Sequence, residues 1–125
     1  MNIIHTDKSS QAIGPYSQAI DVDGWVYTSG CVGLKADNSL SGEDVEAQTH
    51  QTFANLTVIL AAAGCTLQDV VKATVYLADM DEFAAMNAIY SEYMDGHQPA
   101  RSCVEVQRLP RDLRVEIDVV ARKKS

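Results

Sequence analysis

The chain has 125 residues, 46% hydrophobic and 22% charged, with ten Lys and Arg against seventeen Asp and Glu for a net charge of −7. That composition excludes a disordered or low-complexity chain, and the length suits one acidic domain that buries roughly two thirds of the surface its unfolded form exposes. The longest apolar run, Val58 to Cys65, falls far short of the ~20 residues a membrane-crossing helix needs, and the start MNIIHTDKSS lacks a basic and apolar secretory leader, so a cytoplasmic protein is expected.

Ser17 to Val22 is a weak strand candidate, and Trp25 to Ser29 a stronger one. Ser41 with Asp44 forms a capping pattern ahead of Val45, Thr49, Thr52, Leu56, Ile59 and Ala63, which hold one helical stripe until Gly64 stops it. Val70 to Leu77 reads as a strand. Asp79-Met80-Asp81-Glu82 then caps a second helix over about Asp81 to Met94, with Phe83, Met86, Ile89, Tyr90, Tyr93 and Met94 at helical spacing and a close near Gly96. Strands follow at Ser102 to Gln107 and Val115 to Ala121, and the Arg108 to Arg114 turn between them suggests a hairpin, slightly long for a tight one. No linker, charge block or repeat divides residues 1–125, so one continuous α and β domain is expected.

Alternation assigns faces to the last two strands. Ser102, Val104 and Val106 oppose Arg101, Cys103 and Glu105, while Val115, Ile117, Val119 and Ala121 oppose Glu116 and Asp118. If both apolar faces meet the helices, Arg101, Cys103 and Glu116 end on one side of one sheet.

The three cysteines, Cys31, Cys65 and Cys103, are odd in number without a CxxC spacing, so reduced thiols are expected. His5, His50 and His97 are scattered, and no metal is expected. Gly30, Gly33 and Gly42 match no phosphate-binding loop. Every arginine lies after residue 100, where seven basic residues face four acids; before it, three lysines face thirteen acids. Net charge therefore disfavours nucleic acid, unless the basic tail forms a local patch, and leaves small anions plausible.

Arg101 follows His97-Gln98-Pro99-Ala100, where proline launches the chain into a strand. Its planar fork can hold a carboxylate by two parallel bonds; the alternative is a solvated strand-end arginine. Glu116 sits among valines and isoleucine, either on a wet sheet face or in a cleft where it can hold a water and move protons. Cys103 as a nucleophile would need a neighbouring base, and a packed thiol is the ordinary reading. Asn87, one turn after Phe83, lies off the apolar stripe of the second helix and faces elsewhere.

Several runs together carry a resemblance: Ala12-Ile13-Gly14-Pro15-Tyr16-Ser17-Gln18, Thr28-Ser29-Gly30, the helix with Phe83, Asn87 and Tyr90, Pro99-Ala100-Arg101-Ser102-Cys103-Val104-Glu105-Val106, Leu109-Pro110 and Val115-Glu116-Ile117. Over nearly its whole length the chain resembles the RidA (YjgF) family of reactive intermediate deaminases. The resemblance implies an α+β, chorismate-mutase-like single domain, with a mixed sheet and two helices on one face, assembled as a homotrimer with sites between subunits. It implies a cofactor-free hydrolysis of enamines or 2-imino acids to 2-oxo acids and ammonia. Arg101 would grip the carboxylate, Glu116 would activate water, the Cys103 carbonyl would hold the substrate nitrogen, and Tyr16, Ser29, Gly30 and Asn87 would match pocket positions. A non-catalytic 2-oxo acid sensor using the same arginine, and RNA cleavage, stand as the alternatives. Cys31, Gly33 and Gln98 depart from the family's usual Gln, Pro and Phe, a difference that bears on the pocket wall and on substrate preference.

Overall fold

Each long strand alternates buried with open residues, and the buried sets all fall on the sheet face that the helices cover. The computed structural model describes residues 1–124. Its elements are β1 (Asn2–Ile4), β2 (Ala19–Val22), β3 (Trp25–Thr28), β4 (Cys31–Val32), α1 (Val45–Ala62), β5 (Val70–Leu77), α2 (Phe83–Met94), β6 (Ala100–Glu105) and β7 (Val115–Arg122). The sheet runs β1-β2-β3-β7-β5-β6, with β4 also on β7; β5 and β6 are parallel and every other pair antiparallel. This is a single domain of a mixed sheet and two helices, as expected.

Val75, Leu77, Val115 and Ile117 from the sheet meet Phe53, Leu56, Leu60 and Met86 from the helices, all fully buried. Each such side chain contributes about 1.5–3 kcal/mol on leaving water. The predicted stripe of α1 is buried throughout. Its cap is Asp44, whose carboxylate accepts from the Ala47 amide at 2.6 Å; Ser41 does not cap but donates to the Gly33 carbonyl at 2.7 Å. The second helix starts at Phe83, two residues later than expected, because Asp79 caps a separate 3-10 turn over Met80–Glu82 by accepting from the Asp81 amide. β1 and β4, of three and two residues, were not anticipated, being too short to show a period.

The expected hairpin between the last two strands does not form. β5 lies between them, pairing with β6 on one side and β7 on the other. β5 is bonded along both edges, and the connection from β6 to β7 crosses its end: the Val106 amide donates to the Leu77 carbonyl and the Ala78 amide to the Arg114 carbonyl.

The expected facing is overturned with it. Cross-strand partners share a face, and the register pairs Ala73 with Arg101 and Val75 with both Cys103 and Ile117, but Tyr76 with Val104 and Glu116. Arg101 and Cys103 therefore lie on the helix side and Glu116 on the open side. Val104, assigned to the core by its type, is 42% exposed.

Wholly buried Asn55 ties α1 to the strand end that leads into the site. Its Nδ2 donates to the Val32 carbonyl at 3.0 Å and the Leu34 carbonyl at 2.8 Å, while its Oδ1 accepts from Gln51. Asn55→Leu keeps the volume and strips both carbonyls of their donor, at about 1–3 kcal/mol each. The urea midpoint at fixed protein concentration should fall by the equivalent of about 2–4 kcal/mol at unchanged slope.

Candidate functional site

The site residues fall into two groups. The first is built where β6 leaves the His97–Pro99 turn beside α2. Phe83, Asn87 and Tyr90 recur at i, i+4 and i+7, so they share a helix face, and the Arg101 guanidinium lies over it. Its carbon sits 4.6 Å from the Tyr90 ring centre and 5.5 Å from that of Phe83, and its Nη1 donates to Asn87 Oδ1 at 2.8 Å. Asn87 thus lies between the aromatic residues and points at the arginine, not elsewhere. Among the described residues no carboxylate pairs with Arg101, whereas Arg108 pairs with Asp112 and Arg114 with Glu82. A fork held on two aromatic faces and steered by an amide is set to receive an anion from outside the chain.

Cys103 is half-buried and packs against the main core. Burial pushes its thiol up, with Arg101 pulling it partly back, so it stays protonated near neutrality and is a packed thiol. The outer side of β6 has no strand partner among the described residues, which leaves backbone groups of that edge available.

The second group is Glu116 on the open sheet face with Gly30 against it, and the pocket that adjoins Gly30. Gly30 packs directly on the Glu116 carboxylate, where a Cβ would overlap it, so glycine is needed for that close approach. Ser29 donates its hydroxyl to the Ser17 carbonyl at 2.6 Å, and buried Gln18 donates to the Thr6 and Ser10 carbonyls, which pins the segment carrying Tyr16. Tyr16, Ser29 and Gly30 line one small pocket, and Tyr16 is half exposed. Burial, and then the charge of Asp118 two residues on, raise the Glu116 carboxyl above its ordinary value. Asp118 is raised in turn by burial, with the Tyr76 hydroxyl opposing. A carboxyl with elevated proton affinity suits the taking and returning of a proton.

The sheet separates these groups. Of the seven expected residues, Arg101, Asn87 and Cys103 stand on the helix side and Glu116 with Gly30 on the open side, while Ser29 and Tyr16 line a pocket shared with Gly30 and with buried Cys31 and Ile59. One chain therefore does not bring all seven together.

Sequence reasoning treated Phe83 and Tyr90 as core packing and missed their role as a platform for Arg101. The only signal was their helical spacing around Asn87. Gln18 and Asn55 were not singled out, since nothing local marks a buried amide. Of the departures, Cys31 faces the helices, its thiol buried and pushed up to about 12 by burial and then by Glu116 and Asp118. Gly33 lies under α1, where a Cβ would strike Gln48, so it is a packing position and not pocket wall; Gln98 does line the recess beside Arg101. Among the described residues no group of His, Cys, Asp or Glu could hold a metal ion, and no helix is long and apolar enough to cross a membrane.

A family model described as Endoribonuclease L-PSP matches residues 6–123. A Mus musculus protein named 2-iminobutanoate/2-iminopropanoate deaminase is 48% identical over 120 residues, covering 95% of this chain and 89% of the relative. A Salmonella typhimurium protein of the same name is 42% identical over 121 residues, covering 94% of each. Among solved structures, Escherichia coli TdcF with bound serine superposes with a TM-score of 0.94 at 36% identity, covering 99% of this chain and 100% of that one.

Proposed function

The chain belongs to the RidA (YjgF) family, and from that premise and the chemistry of Arg101 and Glu116 we propose that it is a deaminase hydrolysing 2-imino acids and their enamine tautomers to 2-oxo acids and ammonia. The observation that carries this reading is the Arg101 guanidinium, oriented by Asn87 and Tyr90 and without a carboxylate of its own. It grips the substrate carboxylate and presents the adjacent electrophilic carbon. Glu116 of a second copy takes a proton from water as the oxygen bonds to that carbon. Glu116 returns that proton to nitrogen to give the carbinolamine, then carries the hydroxyl proton to nitrogen as the C–N bond breaks, ammonia leaves and the carbonyl forms. The Cys103 carbonyl on the open edge of β6 accepts from the substrate N–H, and Tyr16, Ser29 and Gly30 shape the wall on the Glu116 side. Arginine, amide, carboxylate and water suffice for this chemistry, so no cofactor is required.

Assembly supplies the second copy. The open sheet face bearing Glu116 also carries Ile3, Trp25, Tyr27 and Val104, all exposed in one chain, and covering them removes apolar surface from water. Light scattering at micromolar concentration should give a homotrimer, about three times the 13.6 kDa chain. A monomer would overturn the shared site.

The direct test generates imino acids in situ with an amino acid oxidase and catalase, and follows 2-oxo acid release. Release should accelerate on adding the protein; no acceleration across several side chains would favour a 2-oxo acid binding module on the same arginine. RNA cleavage, the family model's description, has less support here. The tail's cations are engaged internally: Arg108 with Asp112, Arg114 with Glu82, Arg111 on the Asn38 carbonyl and Arg122 on the Asp23 carbonyl, in a chain of net charge −7.

A further inference from the structure

Glu116 is not the only carboxyl on the open sheet face. Asp118, two residues on in β7, shares that face at a spacing of roughly 7 Å along the strand. Among the described residues neither carboxylate pairs with a cation. Their surroundings differ. The register sets Val32 of β4 on one side of Glu116 and Tyr76 of β5 on the other, and both pack on a small cluster of Leu34, Leu109 and Leu113. Apolar groups therefore flank Glu116, Gly30 closes over it, and its carboxyl accepts no hydrogen bond. Asp118 lies opposite Thr74 and receives the hydroxyl of Tyr76.

Two like charges at this spacing on a half-buried face repel, so a single proton goes to the carboxyl whose surroundings support charge less well. Asp118 has a donor and Glu116 has none. Burial and the Asp118 charge hold the Tyr76 hydroxyl above its ordinary value, so it stays a donor at neutral pH. The remaining titratable groups on this face are occupied or distant in register. Lys72 of β5 donates to Ser102 of β6 at 3.0 Å, Tyr27 of β3 lies opposite Val120, and Arg122, at the far end of β7, is turned onto the Trp25 ring and the Asp23 carbonyl. β4 and β6 bring Val32 and Val104 beside Glu116 and Tyr76, and Cys31 lies on the other face with its thiol protonated.

We infer that Asp118 and Tyr76 are positioning residues for the hydrolysis: the tyrosine hydroxyl keeps the charge on Asp118, and that charge directs the proton of the attacking water to Glu116. The inference rests on the role of Glu116 proposed above. Neither residue touches the substrate, and both act through Glu116. The pair makes Glu116 a stronger base than a lone carboxylate in the same place, at the cost of an acid limb that begins at higher pH.

The pH profile of kcat/KM, measured on the assembled protein with the imine-generating oxidase in excess at each pH, tests this. Asp118→Asn keeps the size and still accepts from Tyr76 but removes the charge, so the acid limb should move to lower pH. Its plateau should fall by less than about tenfold, against the 10²- to 10⁴-fold loss of a missing base, and calorimetric binding of 2-oxobutyrate should be unchanged. Tyr76→Phe keeps the ring on its leucine cluster and strips Asp118 of its donor. The two carboxyls then share the proton, and the limb should become shallower and extend to lower pH. A carbon-13 NMR titration of the Glu116 carboxyl, identified by its absence from Glu116→Gln, should show the same displacements in resting protein without turnover. A limb and a carboxyl titration that stay in place in Asp118→Asn, or in Tyr76→Phe where Asp118→Asn does not assemble, would overturn the inference while leaving Glu116 as the base. Wild-type turnover in Glu116→Gln would overturn the base itself, and this inference with it.

Discussion

Arg101→Ala is expected to abolish measurable binding of 2-oxo acids and to remove nearly all imine hydrolysis, while leaving the assembly folded. The side chain makes no bond that holds the fold: its one hydrogen bond is to Asn87, and its stacking partners Phe83 and Tyr90 are anchored by α2. The anion it would receive has no other cation close by, since Lys72 donates to Ser102 on the opposite face and Arg114 is engaged by Glu82. Losing one partner of a desolvated charge pair costs about 2–5 kcal/mol, equivalent to a drop of about 30- to several-thousand-fold in kcat/KM. Arg101→Lys should lose most of the activity too, because the ammonium keeps the charge but not the planar fork that Asn87 and Tyr90 orient. Turnover of Arg101→Ala at the wild-type rate in the oxidase-coupled assay would refute the grip.

Glu116→Gln should separate binding from turnover. The amide keeps the size and hydrogen-bonding capacity but cannot take the proton of the attacking water, so hydrolysis should slow by roughly 10²- to 10⁴-fold while calorimetric binding through Arg101 persists. The wild type should also show an acid limb in its pH profile. Burial and the Asp118 charge raise the Glu116 carboxyl, so on acidification the working carboxylate is lost above the ordinary carboxylate range; in Glu116→Gln that limb should vanish. The same shift means the folded chain holds this proton more tightly than the unfolded one. Folding stability therefore falls as pH rises through the raised value, and Glu116→Gln should be neutral or slightly stabilising near pH 7. A residual rate equal to wild type would remove Glu116 as the base.

The helices and the long strands were legible because their signals are local. The stripe from Val45 to Ala63 needs only its own spacing to bury one side, and Val70 to Leu77 was placed to the residue by its β-branched run. Asp79 was recognised as a cap but ends a 3-10 turn of its own, since capping chemistry marks where backbone amides need a partner and not how many turns follow. The candidate site residues stood out as types: a lone arginine after a proline, and a glutamate among aliphatics.

Chain order alone made a hairpin of the last two strands and so put Arg101 beside Glu116. Strand order and register are properties of the assembled sheet; β5 lies between the two, and its register with each turned the pair to opposite faces. The sequence by itself determined the two helices and the long strands, the apolar stripe of α1, the buried face of β7 and the candidate groups for gripping a carboxylate and moving a proton. Only the tertiary structure decided strand order, the face each polar side chain occupies, the aromatic platform under Arg101, and the separation of Arg101 from Glu116 by the sheet. Propensity and capping act over a few residues, but the side of a sheet on which a group lies is set by partners from distant parts of the chain.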